Sequence, residues 1–475
     1  MSGRGDMALL IDFGSTYTKL RAVALADGAV VASGQGPSTV TDDVTVGLEA
    51  ALADLEDHMG GPPDFKHRLA SSSAAGGLRM VTVGLVKELT AEAARQAALG
   101  AGAKLVGSFA YRLTEGDVAA IVALAPDVLL LSGGTDGGNS EVVLHNARRL
   151  ADSALACPVI AAGNREAADE IAALFKAAGK PLVVAGNVMP AYRELDTGPA
   201  RAAIRQIFIE RIVHAKGIDR AAAMFDAVLM PTPAAVLEGA RLLSEGTADR
   251  PGLGPLVLVD IGGATTDVHS VATGDPVEEG VLQYGLPEPY VKRTVEGDLG
   301  MRHNAPAILE AAGPEAIAAD AGVAAAHVEA WLARIAMDVE ILPGTHEERS
   351  VDRALARAAI RIAMQRHAGR VRIVHTATGP ATVQEGKDLT RVAALIGTGG
   401  ALVHAEDPAA VLSAALGGPD DPGSLQPAAP ALYVDRDYLL YAAGLLAETD
   451  PEAAFAMAMN GLQAAGGEDG RRSTG

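Results

Sequence analysis

The chain has 475 residues, a formal net charge of −20 and 49% hydrophobic residues, so it can build two or three packed domains, and its field opposes non-specific attraction to nucleic acid. Aromatic residues make up only 3%, with Trp331 the single tryptophan, so the cores must be built from Ala, Val, Leu and Ile, which suits helices lying close on a sheet. The one cysteine, Cys157, excludes an intrachain disulfide and an all-cysteine metal cage, and no unbroken apolar run is long enough to cross a bilayer.

The opening MSGRGDMALL passes into a strand pattern without the apolar region of a signal peptide, which with the lone cysteine predicts a cytoplasmic setting. ALLIDFGSTYTKLRAVALADGAVVASG then reads as an apolar strand, a Gly-Ser-Thr turn, an alternating strand, an Asp27-Gly28 turn and a third strand, that is, a β-meander. A glycine-containing stretch, SSSAAGGLRMVTVGLV, leads to an Ala-rich helical pattern from Lys87 to Ala98, and residues 1–99 are taken as the first part of one lobe. Over residues 100–195 three apolar strands ending in loops, DVLLLSGGTDGGN, CPVIAAGN and PLVVAGNVMP, alternate with helices, which predicts an inserted parallel sheet buried on both faces. Residues 196–250 read as a helical connector with RAAIRQIFIERIVHA as its clearest amphipathic stretch, ending at the boundary signal DRPGLGP.

From residue 251 the string PLVLVDIGGATTDVHSVATGDPVEEGVLQ repeats the opening grammar: strand, Asp, Gly-rich turn with Thr, alternating strand, Gly274-Asp275 turn, third strand. The chain therefore carries an internal duplication of one unit. Helices dominate to about residue 368, and VRIVHTATGP and VAALIGTGGALVH are later transitions from strand to glycine loop. Residues 251–405 are taken as the second lobe, 406–462 as a helical segment and 463–475 as a disordered tail.

An Asp-x-Gly-small-Thr loop at the end of a buried strand suits phosphate chemistry. Glycine lets the backbone approach a phosphate and turn its N–H groups toward it, and Ser/Thr hydroxyls add donors. An aspartate at the strand end is an acceptor of the kind that hydrated Mg²⁺ requires. Two such loops are present, Asp12-Phe13-Gly14-Ser15-Thr16 and Asp260-Ile261-Gly262-Gly263-Ala264-Thr265-Thr266-Asp267. If the duplicated units form two lobes, these loops face each other across a cleft and grip one triphosphate. Alone, each loop is better explained as an ordinary hairpin turn whose glycine supplies positive φ.

This pair of loops resembles the two phosphate loops of the actin, sugar-kinase and heat-shock chaperone ATPase superfamily, and Ile396 to Leu402, IGTGGAL, is similar to its adenosine motif. The resemblance implies an α/β, actin-like (ribonuclease H-like) fold of duplicated lobes, here with an inserted Rossmann-like domain, that binds ATP and Mg²⁺. More narrowly, LLIDFGSTYTKLRAV, SSSAAGGLRMVTVGLV, LLLSGGTDGGN, VDIGGATTDVHSV and IGTGG resemble the MutL/GlmL family, proteins encoded beside adenosylcobalamin-dependent glutamate mutase and related to the hydantoinase and oxoprolinase branch. That resemblance implies a reactivating chaperone whose partners are mutase subunits, with no nucleic acid and no membrane. The inserted domain is similar to the cobalamin-binding fold but lacks an Asp-x-His-x-x-Gly element, so no bound cobalamin is expected; it either docks against a mutase subunit or is a generic insertion. A small-molecule kinase, a hydantoinase-type hydrolase and a scaffold without hydrolysis remain open on the same fold.

In this reading Asp12 and Asp260 orient Mg²⁺ waters, and Gly14, Ser15, Thr16, Gly262, Gly263, Thr265 and Thr266 supply phosphate donors. Gly397, Thr398, Gly399 and Gly400 lie against adenosine. Asp267 orients the attacking water or pairs with a neighbour; Lys19 reaches a phosphate or is an exposed strand lysine. In GLPEPYVKRTVEGDLGMRHN, Glu288, Lys292, Arg293, Glu296 and Asp298 are candidates for a general base or an ion pair, mostly solvated, with Glu296 preferred because it precedes a tight glycine turn. His269, His303, His375 and His404 are too scattered for a metal centre, and Cys157 reads as a core thiol.

Overall fold

The computed structural model describes residues 6–14, 17–39, 43–73, 78–215, 226–377 and 379–466. The chain divides into two compact units, one of Met1–Leu242, Gly285–Lys292 and Leu440–Met457, the other of Leu243–Tyr284, Arg293–Leu439 and Ala458–Gly475.

The first unit contains β1 (Met7–Phe13), β2 (Tyr17–Ala24), β3 (Val30–Pro37), β4 (His67–Ser72), β5 (Arg79–Gly84), β6 (Lys104–Ala110), β7 (Val128–Leu131), β8 (Val159–Ala161), β9 (Leu182–Val184) and β10 (Ala227–Pro231). One sheet has the order β10-β4-β1-β2-β3, with β1 antiparallel to β2 and parallel to β4. Ala8, Leu9, Leu10, Ile11 and Phe13 are all buried, which is why β1 reads as a continuous apolar run rather than an alternating one. The other sheet, β6-β5-β7-β8-β9, is parallel throughout. The helix Glu92–Gly100 buries Ala93, Ala94, Ala97 and Ala98, so small side chains fill this core where aromatic ones are scarce.

The second unit contains β11 (Leu256–Ile261), β12 (Thr266–Val271), β13 (Leu282–Tyr284), β14 (Val291–Glu296), β15 (Arg370–Thr376), β16 (Gly379–Glu385), β17 (Ala394–Thr398), β18 (Ala431–Asp435) and β19 (Leu462–Ala464). Its main sheet runs β14-β12-β11-β17-β18-β19. Here β11 is antiparallel to β12 and parallel to β17, as β1 is to β2 and β4. The five strands β3-β2-β1-β4-β10 thus have the same order as β14-β12-β11-β17-β18, and the duplication read in the sequence is a duplication of sheet topology. This is the actin-like, ribonuclease H-like arrangement, with a parallel sheet added in the first unit.

Several elements differ from the sequence reading. The parallel sheet begins at Arg79, not at residue 100, because the glycine-flanked string RMVTVG is its strand β5, paired between β6 and β7. The third strand of the second meander is not the VLQ after Gly274-Asp275. That segment becomes β13, pairing with β16, and β14 at Val291–Glu296 completes the sheet. The connector read as helical contains β10, the segment 406–462 contains β18, and β19 begins at Leu462 and runs into the stretch read as a disordered tail. All are runs of three to six residues, too short for periodicity to separate strand from helix.

The long helix His346–His367 starts from a capping box in which Thr345 and Glu348 satisfy each other's backbone donors. It fixes the neighbouring segment at several points. Asp352 accepts a two-pronged pair from Arg302, at 2.9 and 2.9 Å, and the Trp331 indole N–H at 3.1 Å. At its last turn Arg366 binds Glu296 and Asp298, and His367 bridges Ser270 of β12 and Thr294 of β14 at 2.8 and 2.8 Å.

Candidate functional site

In the first unit Asp12 stands at the end of β1 and is buried. Its Oδ1 accepts the Thr232 hydroxyl at 2.6 Å and the Ser71 hydroxyl at 3.3 Å. Among the described residues no hydrogen bond falls on Oδ2. Burial pushes the carboxyl above the usual carboxylate range, while the Thr232 bond, the Lys19 charge, the Ser71 bond and the Arg21 charge pull against it. Lys19 is directly opposite Asp12 across the antiparallel pair and half-buried, so it is not the exposed strand lysine. Gly14 closes the turn, its N–H donating to the Tyr17 carbonyl at 3.1 Å; a Cβ there would lie 2.5 Å from that oxygen. Ser15 and Thr16 lie outside the described residues.

Thr232 and Ser71 were not found in the sequence. Ser71 lies near the end of β4, the parallel neighbour of β1, and Thr232 follows β10, the parallel neighbour of β4, so register brings their hydroxyls to Asp12. The available signal was the string Met-Pro-Thr-Pro after a short apolar run.

In the second unit Asp260 ends β11, half-buried, opposite Asp267 on β12 and Thr398 on β17. The loop that follows is held from one side by residues 300–304. The Gly262 carbonyl accepts from Met301 N at 3.0 Å, the Gly263 carbonyl from Arg302 N at 2.8 Å and His303 N at 2.9 Å, and the Ala264 carbonyl from Asn304 Nδ2 at 3.0 Å. A trans peptide carries its N–H opposite its C=O, so the N–H groups of Gly263, Ala264 and Thr265 point away from that segment. Gly263 and Ala264 are exposed, and backbone N–H groups on an exposed glycine turn are suited to an anion.

Gly300 permits this clamp, since a Cβ there would sit 2.3 Å from both the carbonyl carbon and oxygen of Ala264. Gly300→Ala is therefore expected to destabilise the unit by about 1–3 kcal/mol and to speed amide hydrogen exchange over residues 262–265. Unchanged exchange there would show that the loop does not rest on Gly300.

The remaining predicted residues separate into two groups. Asp267 is buried, and its Oδ2 accepts from Arg293 Nε at 3.1 Å and Nη2 at 2.6 Å. Oδ1 of Asp267 is buried without a hydrogen-bond partner. Gly399 has φ +96° and a Cβ on it would meet the Ile261 carbonyl at 2.2 Å, whereas a Cβ on Gly400 would meet nothing within 4 Å. Gly397 is enclosed by Leu402 and Leu412, and the Thr398 hydroxyl donates to the Asp435 carbonyl at 3.4 Å.

Two assignments are corrected. Thr266 is fully buried and its hydroxyl donates to the Leu299 carbonyl at 2.6 Å, so it anchors the loop and is not available as a phosphate donor. Glu296 is held by Arg366 at 2.6 Å, together with Asp298 at 2.7 and 2.9 Å, which removes the freedom a general base needs. The Arg366 hydrogen bond holds the Asp298 carboxyl below its usual range, and in return Asp298 raises the Arg366 guanidinium further. Three other charges of this stretch are withdrawn from solvent: Lys292 pairs with Glu288 at 2.9 Å and, like Arg293, is buried on β14. His269, two residues beyond Asp267, is fully enclosed; burial and the Arg293 charge bring its pKa down to about 3. Among the described residues no group of three or more His, Cys, Asp or Glu side chains is placed to hold a metal ion, and no helix is long and apolar enough to cross a membrane.

Comparison with known proteins places these features in a family. Among solved structures, nucleotide-free acetone carboxylase is similar at 15% identity and a TM-score of 0.39 over 95% of this chain and 70% of that one. Xylulose kinase from Bifidobacterium adolescentis is similar at 12% identity and a TM-score of 0.32 over 97% of this chain and 94% of that one. Similarity this distant carries no argument about function. The chain is 46% identical over 450 residues to Protein MutL of Clostridium tetanomorphum, a match covering 94% of this chain and 97% of that protein. With the family model described as MutL protein matching residues 8–462, the chain belongs to the MutL family.

Proposed function

We propose that this protein binds ATP and Mg²⁺ through the loops headed by Asp12 and Asp260 and acts as a reactivating chaperone for an adenosylcobalamin-dependent carbon-skeleton mutase of the glutamate mutase type. The observation that carries the nucleotide reading is the repeated sheet order with an aspartate and a glycine turn at the same strand end in each unit. The mutase reading draws on family membership and on the motif strings shared with the MutL/GlmL proteins.

The donors fit a small hard cation: the carboxylates of Asp12 and Asp260, with Ser71 and Thr232 hydroxyls behind the first, are all oxygen groups. When bound, Mg²⁺ neutralises charge on the phosphates and on the oxygen that leaves in hydrolysis. Asp12 and Asp260 would offer carboxylate oxygens to the waters of the cation, and the backbone of Gly14, Gly263, Ala264 and Thr265, with the Ser15 and Thr16 groups, would supply donors to phosphate oxygens. Asp267, fixed by Arg293, is the carboxylate nearest in register to Asp260 and orients the attacking water. Gly397, Gly399 and Gly400 give the adenosine a surface without side chains. The parallel sheet of the first unit serves as the docking face for a mutase subunit and holds no cobalamin itself.

The test measures ATP hydrolysis by the protein alone, with small-molecule candidates, and with a cyanocobalamin-inhibited mutase. Hydrolysis stimulated by the inhibited mutase, together with recovery of mutase activity on adding adenosylcobalamin, is expected. Phosphorylation of a metabolite would instead identify a kinase and overturn the chaperone reading.

A further inference from the structure

The Asp12 carboxylate is held by one of its oxygens. Oδ1 accepts the Thr232 hydroxyl at 2.6 Å and the Ser71 hydroxyl at 3.3 Å, and those two hydroxyl oxygens are 3.2 Å apart. Oδ2 receives no hydrogen bond among the described residues and lies toward the glycine turn, 3.9 Å from where a Cβ on Gly14 would stand. An aspartate does not make that choice itself: rotation of a carboxylate about its last bond is broad and two-fold, so without partners either oxygen faces either side.

Thr232 supplies the shorter of the two bonds, and its own place is fixed. Asp12, Ser71 and Met230 form one row across β1, β4 and β10, after a register shift between Val228 and Met230, and Thr232 follows as the first residue of the helix Thr232–Glu245. Pro231 and Pro233 flank it, each with φ locked by its ring, and a β-branched side chain has a stiff χ1. At the matching register of the second unit Thr398 stands opposite Asp260, yet its hydroxyl donates to the Asp435 carbonyl at 3.4 Å. The repeated topology therefore does not by itself turn a hydroxyl onto the aspartate, and in the first unit the Met-Pro-Thr-Pro string adds one.

We propose that Thr232 is a positioning residue for the cation: its hydroxyl holds Oδ1 and so leaves Oδ2 on the side of the Gly14 turn, where the waters of Mg²⁺ need an acceptor. The acceptor is then in place before the cation arrives, which lowers the ordering cost of binding. The role needs the hydroxyl and not the methyl group, so serine can replace threonine and valine cannot. This inference rests on the nucleotide reading given above.

ATP binding is measured by calorimetry with Mg²⁺ and with EDTA for the wild type, Thr232→Val, Thr232→Ser, Asp12→Asn and the protein carrying both Thr232→Val and Asp12→Asn. Thr232→Val is expected to weaken Mg-ATP about tenfold and to leave metal-free ATP unchanged, while Thr232→Ser stays within about twofold of the wild type. In the Asp12→Asn background Thr232→Val is expected to remove no further Mg-ATP affinity. Equal losses with and without Mg²⁺, a loss in Thr232→Ser as large as in Thr232→Val, or an undiminished loss in the Asp12→Asn background would each give Thr232 a role in folding alone and overturn the proposal. A wild type that binds ATP no better with Mg²⁺, or an Asp12→Asn protein that binds Mg-ATP as the wild type does, overturns the reading of Asp12 and this inference together. Weakening in Asp12→Asn with none in Thr232→Val overturns this inference alone.

Discussion

Asp12→Asn is expected to reduce Mg-dependent ATP turnover by at least about 100-fold and, in the same protein, to raise the melting temperature of the nucleotide-free state at pH 7. The two effects share one cause. The Asp12 carboxyl is buried, and burial raises its pKa above the ordinary aspartate value of 3.8. Between that value and the raised one, the folded protein holds a proton that the unfolded chain has released. Stability therefore falls as pH climbs through this window, and the deficit remains at neutral pH. Asparagine keeps the shape and the Oδ1 acceptor for Thr232 and Ser71 but removes the charge, so the deficit disappears. On the proposed reading, the same loss of charge would leave the cation's waters without their acceptor. Asp260→Asn is expected to match it in turnover. Thermal melts at pH 7 and near pH 3.5 check the stability part, since the two proteins should converge in acid; an Asp12→Asn protein that hydrolyses ATP at the wild-type rate would remove Asp12 from the site.

Acidification is expected to weaken the second unit through His269. The imidazole is neutral in the folded protein because burial and the Arg293 charge bring its pKa to about 3 from 6.5, with Asp267 opposing them. An unfolded chain takes up that proton as pH drops below 6.5, while the folded protein cannot follow until about 3. Stability is therefore complete above pH 6.5 and is lost progressively down to pH 3, by about 1.4 kcal/mol per pH unit and roughly 5 kcal/mol in all. His269→Leu removes the titration. Urea unfolding at pH 7 and pH 4.5 should show the wild type losing roughly 3 kcal/mol more than this variant over the interval. Equal losses would mean that His269 takes up its proton without unfolding.

The sequence by itself determined the features that local chemistry dictates. An apolar run closed by Asp and then Gly has few uses other than a buried strand feeding a close backbone turn, and it occurs twice, at Asp12 and Asp260, with the same strand grammar after it. The parallel sheet was likewise legible in the continuous apolar strings that become β7, β8 and β9. Only the tertiary structure decided which polar groups meet. Thr232 and Ser71 reach Asp12 through strand register, Arg293 reaches Asp267 through the placement of β14 beside β12, and Arg366 takes Glu296 and Asp298 from the far end of a helix. A side chain's role depends on the partner that desolvates or neutralises it, and those partners lie 26 to 220 residues away in sequence, a separation across which no local periodicity carries information.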